Sequence, residues 1–507
     1  MKIKLNYYES LKRKYRTIFY YIGNLTIGIG LLLFTPLFSL LFDYSDVDKI
    51  KYFIIPGIMA VLFGYILRTL LEKNEEVQIT LREGAIIVTL TWIVAIFFGS
   101  LPFWLGRHTL SHSFTVLDSI FETVSGWTTT GLSMVVEKET PRIYLLWRSI
   151  MQGVGGAGLI VIMLSAIIGP EGSSLYEAEA REKRLVPNVK STTRVMLKIY
   201  GGYLIVGSLL YWVAGMNLFD SINHSLAALS TGGFSTRNAS IGHWNSLSIE
   251  IVTYILMILG TTNFATHYAL IKGKFKGFID DIEFKLMSWV FVFFIPLSAY
   301  ILYQNLYEYL GRSIRVAIFE VISAISTTGF STVSYDGWLA SGGQWSVFII
   351  FLFVLLMLIG GGTSSTAGGI KQYRIALLIK NIYWGIKDKL YPENAVLRHS
   401  VSRQGRIQIV DNDHIHQVAG FTVLYLMTFL AGSLVFLLNG YPLVESLFEF
   451  GTALGTVGLD IGITGPDMPT STKVAQILGM WLGRLEFMAI IVAFTRMFTD
   501  IKVLRRA

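Results

Sequence analysis

The chain has 507 residues, of which 53% are hydrophobic and only 15% are charged. A soluble protein of this length carries charge on roughly a quarter of its residues, so the composition excludes an ordinary soluble fold. The absence of cysteine excludes disulfides, thiolate metal sites and cysteine catalysis. The net charge of +8 is spread along the chain instead of forming one basic face, which argues against nucleic-acid binding.

The hydrophobic residues are concentrated in long blocks, each able to cross a hydrocarbon core about 30 Å thick as a helix. The first block is too long for a signal peptide and lacks a small-residue cleavage site, so we interpret it as a span. In chain order the sequence predicts ten spans, at 18–42, 53–71, 84–105, 143–169, 196–215, 248–271, 286–304, 346–370, 417–439 and 474–497.

The loops between these spans differ in charge, which predicts the orientation of the chain. If the N-terminus is cytoplasmic, the segments on the cytoplasmic side carry most of the lysines and arginines. We therefore expect a multi-pass protein of the cell (inner) membrane with both termini in the cytoplasm.

Four segments that follow predicted spans share one pattern, a short helix that ends in Thr-x-Gly, then Leu or Phe, then Ser or Asp. They align without gaps at 118–133, 220–235, 317–331 and 445–460. The residue nine positions before the last glycine is polar in each copy: Glu122, His224, Glu320 and Glu449. One such motif is an ordinary turn, but four in register indicate an internal repeat.

The repeated unit consists of a span, a half-length pore helix, a filter loop and a second span. The sequence thus predicts an all-α polytopic membrane protein of about ten transmembrane helices, with four such repeats around one pseudo-fourfold pore. We divide the chain into an N-terminal tail with two extra helices at 1–82 and pore repeats at 83–170, 171–272, 273–390 and 391–507.

The residue types of the repeated loop are suited to binding a dehydrated cation. Backbone carbonyls bind such an ion without a net charge that would trap it, and glycine lets the backbone turn them inward. Threonine adds a hydroxyl, and the C-terminal dipole end of each pore helix favours a cation. The predicted ion-binding residues of this selectivity filter are Thr129, Thr130, Gly131, Thr231, Gly232, Gly233, Thr327, Thr328, Gly329, Thr456, Val457 and Gly458.

These segments and their flanking spans resemble the Trk/Ktr/HKT superfamily of potassium transporters over about residues 84–497, and the two extra spans resemble its Trk-type membrane subunit. In some plant members a serine in the first filter accompanies sodium preference, whereas this chain has glycine in all four. The resemblance implies potassium uptake through a gated, channel-like pore, with K⁺ (or Rb⁺) as the transported ion and no bound cofactor. A sodium-permeable or ion-coupled symporter (K⁺/Na⁺ or K⁺/H⁺) of the same fold is the alternative.

Two further segments match the gate of that superfamily. A glycine-rich run, which does not form a stable helix, interrupts the second span of the third repeat. The resemblance implies an intramembrane loop beneath the filter and an arginine that projects into the pore. The gate residues are Gly360, Gly361, Gly362, Thr363, Ser364, Ser365, Thr366, Ala367, Gly368, Gly369, Lys371 and Arg484. The alternatives are a helix-packing glycine patch and a pair between Arg484 and Glu486 that faces the protein.

Other polar motifs have simpler interpretations. The run at 153–158 matches a dinucleotide-binding pattern but lies inside a predicted span, and the histidines at 414 and 416 lack further metal ligands. The three filter-repeat glutamates are either proton carriers or structural carboxyls behind the filter. Asp460 either adds negative potential at the outer mouth or caps a turn. Because no nucleophile, base and metal ligands converge, we do not expect an enzyme, and the repeat argues against a scaffold.

Regulation is expected to come from a second protein. The longest predicted cytoplasmic loop, at 371–412, is too short for a nucleotide-binding domain of ordinary size. The resemblance implies a homodimer above a cytosolic ring of nucleotide-binding RCK subunits (TrkA-like). The predicted docking loops contain Lys272, Lys274, Lys276, Lys387 and Lys389, although these charges also serve to set topology.

Overall fold

The structure, a computed structural model, describes residues 2–71, 79–158, 189–273, 275–341, 343–392 and 398–504. The helices in chain order are α1 (Lys2–Leu32), α2 (Lys51–Leu70), α3 (Leu81–Leu105), α4 (Val116–Trp127), α5 (Arg142–Ala157), α6 (Val189–Val213), α7 (Leu218–Leu229), α8 (Leu247–Thr261), α9 (Phe264–Ile271), α10 (Phe275–Ile279), α11 (Ile282–Asn305), α12 (Leu310–Ser326), α13 (Tyr335–Ser341), α14 (Gly343–Ile359), α15 (Gln372–Asp388), α16 (Asn412–Leu438), α17 (Leu443–Leu454), α18 (Thr470–Arg484) and α19 (Met488–Leu504). Strands β1 (Ser400–Arg403) and β2 (Arg406–Ile409) form an antiparallel hairpin between α15 and α16.

Four short helices, α4, α7, α12 and α17, occupy the positions predicted for the pore helices. Three of them have 12 residues, so at about 1.5 Å per residue they are too short to cross a bilayer. Side-chain caps fix the starts of two: the Asp118 N–H donates to Thr115 Oγ1 at 3.1 Å, and the Asp220 N–H donates to Asn217 Oδ1 at 2.8 Å. Each pore helix ends at a Thr-x-Gly loop, as predicted.

The four repeats close into a ring. The second long helix of each repeat packs against the pore helix of the next: α5 against α7, α8 against α12, α14 against α17, and α18 against α4. The last contact joins the fourth repeat to the first, so the repeats surround one axis. The fold is therefore the predicted helical membrane fold with four pore repeats, while the residues at which one repeat passes into the next stay a prediction.

The part of the chain that the structure describes has fewer continuous membrane-spanning helices than the ten predicted spans. Among the described residues six helices are long and apolar enough to cross a membrane, or eight if each bent helix pair is one span. The predicted span 248–271 bends by 106° between α8 and α9, and the span 474–497 bends by 100° between α18 and α19. The predicted span 143–169 is described only as far as 158, and α14 ends at the glycine-rich run.

The extra N-terminal helices, α1 and α2, pack closely against each other and against α3. Two glycines of α1 allow this approach, because a Cβ on Gly23 or Gly30 would lie 2.8 Å from the carbonyl oxygen of Gly64 or Gly57 in α2. Such contacts between small residues are typical of helix association in membranes, where the lipid is as apolar as the side chains.

Candidate cation-binding site

The four filter loops have the same backbone conformation. Their first threonines lie in the left-handed region, at φ of 55°, 52°, 54° and 49° for Thr129, Thr231, Thr327 and Thr456. Positive φ in a β-branched residue is a genuine outlier that the surrounding structure must enforce. The filter glycines also have positive φ, between 73° and 96°. Since the same strained conformation occurs four times in register, the loops form one structural feature.

The residue between each threonine and glycine ties its loop to the end of its pore helix. In the first loop the Thr130 N–H donates to the Ser125 carbonyl at 2.9 Å, and the other three loops repeat this bond at 2.8–3.0 Å. The preceding threonine N–H also bonds back to its pore helix in every copy. Each loop is thus anchored where its helix dipole is most negative, which favours a cation.

The filter glycines interlock in cyclic order. A Cβ on Gly131 would overlap the carbonyl oxygen of Gly232 in the second loop, and each other filter glycine meets the next loop in the same way. The remaining pairs are Gly233 with the carbonyl of Thr328, Gly329 with that of Val457, and Gly458 with that of Thr130. The last pair returns to the first repeat, so the predicted filter residues form a closed ring with no room for side chains at the glycines.

Buried polar residues of the pore helices hold the chain that follows the filter. The N–H groups of Met134, Thr332 and Ile461 donate to Glu122, Glu320 and Glu449 at 2.7 Å, 2.8 Å and 3.0 Å. In the second repeat His224 Nε2 lies 2.9 Å from Ser235 Oγ. These contacts match the structural interpretation of the carboxyls, because each already has a backbone partner.

One side of the ring opens into a cavity of about 580 Å³, which is lined by the four filter glycines, by the carboxyl groups of Glu137, Asp336 and Asp460, and by Arg148 and Arg237. Asp460 also accepts the N–H groups of Gly462, Ile463 and Thr464 at 3.0–3.2 Å. Asp460 therefore caps a turn at the rim of this cavity, which is one of the two predicted roles, while its effect on the potential at the mouth stays a prediction.

The glycine-rich segment forms a loop directly beneath the ring. The N–H of Gly368 donates to the hydroxyl of Thr327 at 2.7 Å, and the hydroxyls of Thr231 and Thr366 lie 3.2 Å apart. A Cβ on Gly368 would overlap the carbonyl of Gly455 in the fourth repeat. The predicted gate loop thus contacts three of the four repeats at the base of the filter.

Arg484 connects this loop to the first repeat. Its guanidinium donates to the carbonyl of Thr366 at 2.6 Å and to that of Gly155, at the end of α5, at 2.5 Å. Glu486, which the alternative interpretation paired with Arg484, forms an ion pair with Arg374. Lys371 also lies 4.0 Å from Glu486 and donates to the carbonyl of Ala367.

The sequence analysis missed two residues that hold the loop from the side away from the filter ring. Thr363 donates its N–H to buried Glu283 of α11 at 3.1 Å, and its hydroxyl accepts from Arg403 at 2.6 Å. Arg403 ends β1, so the hairpin inserts a buried guanidinium against the gate loop. A Gln-Gly pair between two short alternating segments indicated this hairpin in the sequence. Nothing in the sequence indicated that the hairpin contacts the gate loop.

The remaining predicted sites are placed as follows. The 153–158 run is the end of α5, where a Cβ on Gly155 would overlap the carbonyl of Trp127, so its glycines serve close packing. Within the described residues no three His, Asp or Glu side chains are grouped to hold a metal ion. Of the predicted docking lysines, Lys272 and Lys389 are exposed and Lys387 is half-buried. Residue 274 and the side chain at 276 lie outside the described part of the chain.

Comparisons with known proteins agree with this architecture. The family model TrkH, described as a cation transport protein, matches residues 49–503. The chain is similar to an uncharacterized cation transporter of Methanocaldococcus jannaschii, at 30% identity over 98% of both proteins. It is also 30% identical to the Trk system potassium uptake protein TrkH of Escherichia coli K12, over 84% of this chain and 88% of that protein. The crystal structure of the potassium transporter TrkH from Vibrio parahaemolyticus matches with a TM-score of 0.81 at 25% identity, over 94% of this chain and 98% of that one. This chain therefore belongs to the TrkH family of cation transport proteins, a family of multi-pass membrane transporters and not of enzymes.

Proposed function

We propose that this chain takes up potassium into the cell through a gated, channel-like pore whose selectivity filter is the four-loop ring. The observation that carries the proposal is the cyclic interlocking of filter glycines with carbonyls of the neighbouring loop. A ring of uncharged oxygens replaces the hydration shell of a permeating cation without trapping it. All four key positions are glycine, and similar proteins named for potassium uptake support the choice of ion.

We infer further that the loop at 360–371 and Arg484 close this pore on its cytoplasmic side. The loop lies under the ring and bonds to filter threonines of two repeats. Arg484 brings a fixed positive charge to the same level and joins the loop to α5. A cation that leaves the filter meets both a steric and an electrostatic barrier.

In this proposal the chain lies in the cell membrane with both termini cytoplasmic, and the cavity at the filter ring faces outward. No bound cofactor is required, because the carbonyl ring itself binds the ion. The transporter works as a homodimer under the control of a cytosolic ring of nucleotide-binding RCK subunits. The basic cytoplasmic loops with Lys272, Lys387 and Lys389, together with the lysines at 274 and 276, form the docking surface.

Uptake of radiolabelled rubidium into proteoliposomes that contain the purified chain tests the ion and the mechanism together. We expect external potassium to compete with rubidium at far lower concentrations than sodium does, and uptake to need no other ion gradient. Equal competition by sodium would identify a sodium-permeable transporter. Uptake that depends on an inward proton or sodium gradient would identify a coupled symporter and contradict the passive pore.

A further inference from the structure

The second filter loop differs from the others at one position of the ring. Between the left-handed threonine and the filter glycine, the other repeats carry Thr130, Thr328 and Val457, whereas the second repeat carries Gly232. Glycine restricts the backbone least of all residues, so a Gly-Gly pair is a poor choice for a fixed ligand geometry. Something outside this loop must supply the missing restraint.

A buried glutamine from the first repeat occupies the space of the missing side chain. Gln152 of α5 donates its Nε2–H to the carbonyl of Gly232 at 2.5 Å and accepts the N–H of Phe234 with Oε1 at 3.1 Å. One side-chain amide therefore forms hydrogen bonds with the loop on both sides of the filter glycine, Gly233. A Cβ on Gly232 would overlap the Gln152 side chain, so the glycine and the glutamine fit only as a pair.

The residue one helical turn earlier supports the same loop. Arg148 donates to the carbonyl of Ser235 at 3.3 Å, and its guanidinium stacks 4.0 Å from the centre of the Phe234 ring. Residues four apart lie on one face of a helix, so this face of α5 contacts the second loop along its length. The carbonyl that Gln152 holds is also the one that contacts Gly131 of the first loop.

We propose that Gln152 is a positioning residue for ion selectivity, because it fixes the Gly232 carbonyl within the ring and thereby sets the size of the ring on its least restrained side. Selectivity depends on the number and geometry of the oxygens around the ion. A loop released from Gln152 collapses more readily around a smaller cation such as sodium. The inference rests on the proposed potassium filter and names the residue that completes its second loop.

The first test replaces Gln152 with an apolar side chain of similar size. We expect Gln152→Leu to lower the preference for potassium over sodium, measured from reversal potentials, by about fivefold or more, the factor that one hydrogen bond is typically worth. The control is Thr26→Val, which removes an equally buried hydrogen-bonding side chain in α1, whose hydroxyl donates to the carbonyl of Ile22 at 2.8 Å. We expect this control to keep the wild-type ratio.

The second test substitutes Gly232, first alone and then together with Gln152. Gly232→Thr gives the second loop the Thr-Thr-Gly sequence of the first and third, in which a hydroxyl two residues earlier bonds the middle threonine at 2.7–2.8 Å. Ser230 occupies that position in the second loop. We expect Gly232→Thr alone to lose selectivity, because it crowds Gln152, and Gly232→Thr with Gln152→Ala to regain most of it.

An unchanged ratio in folded Gln152→Leu, an equal loss in Thr26→Val, or strictly additive effects of Gly232→Thr and Gln152→Ala on the ratio would overturn the inference. A wild-type chain that does not prefer potassium would instead refute the proposed function, and this inference with it.

Discussion

The filter ring and the gate loop touch each other but are built on opposite principles. The ring consists of four equivalent loops, each with the same left-handed threonine and the same glycine contact to its neighbour. The gate loop occurs once, and its bonds go to unrelated parts of the chain: Arg484 of α18, Glu283 of α11 and Arg403 of the hairpin.

This difference indicates which part can move. A displacement of one filter loop disturbs its contacts with both neighbouring loops, so a single loop cannot move without them. The gate loop is held by many hydrogen bonds, including those from the N–H groups of Gly362 and Thr366 to the end of α8, but these bonds do not form a closed cycle as the contacts of the ring do. The loop can therefore be displaced as one unit while the ring above it stays closed. If the ring selects the ion and the loop closes the pore, as we propose, substitutions in the two regions should change different measured quantities.

The largest effect is expected from a side chain placed in the ring. Gly131→Ser should reduce the preference for potassium over sodium roughly tenfold or more, because the new Cβ overlaps the Gly232 carbonyl at a strained φ of 96°. The measurement is the permeability ratio from reversal potentials.

A matched control separates ring geometry from backbone strain. Gly440 has a similar φ of 89° but nothing within 4 Å of an added Cβ. Gly440→Ser should lower stability and leave the ratio unchanged. If Gly131→Ser also keeps the wild-type ratio, the ring is not the selectivity filter.

Removing the charge beneath the ring should change flux and leave selectivity intact. At about 7 Å with an effective dielectric constant near 20, a fixed cation opposes a permeating ion by roughly 2–3 kcal/mol. Arg484→Ala should therefore raise rubidium flux by tens of fold, and shortening of the loop at 360–369 should act in the same direction. Arg484→Lys, which retains the charge, should stay close to wild type. Unchanged or reduced flux in folded Arg484→Ala would mean that this side chain lies outside the ion path.

A smaller rise in flux is expected from the hairpin. Arg403→Ala removes the bond to Thr363 and should raise rubidium flux by up to about tenfold. A hydrogen bond to a charged group is typically worth about 1.5–3 kcal/mol, but Thr363 keeps its bond to Glu283, so only part of this energy is lost from the position of the loop. Arg406, which pairs with Arg403 in the hairpin register but is exposed, gives the control Arg406→Ala. Equal flux in the two variants would show that the hairpin does not act on the loop.

The two regions also differ in how far the sequence predicted them. The ring could be predicted because its pattern occurs four times, so that Gly131 identified Gly233, Gly329 and Gly458. The composition of the gate loop was equally visible. Its partners were not, because Glu283 and Arg403 lie 80 and 40 residues from Thr363 and belong to no repeat.

The broken helices were hidden for a related reason. The chain bends after Arg484 through left-handed Glu486 and Phe487, at φ of 54° and 57°. Neither residue type signals such a conformation in a sequence, and the hydrophobic pattern continues across the break. Tertiary contacts, including the ion pair between Glu486 and Arg374, stabilise the bend. A span predicted from hydropathy alone therefore appears continuous.

The smallest effects are expected at the surface where a regulator would act on the gate. Lys272 and Lys389 are exposed and contact no part of the ring, so their charge reversal should leave the flux of the isolated chain unchanged. Exposed ion pairs are typically worth about 0.2–1 kcal/mol each, so Lys272→Glu with Lys389→Glu should weaken binding of a cytosolic RCK ring by a few-fold to about tenfold. Binding is measured by co-purification and titration, and flux with and without nucleotide. Intact binding would place the docking surface elsewhere. A nucleotide response of the purified chain alone would mean that the sensor lies within this chain. The gate loop would then be controlled by this chain itself and not by a second protein.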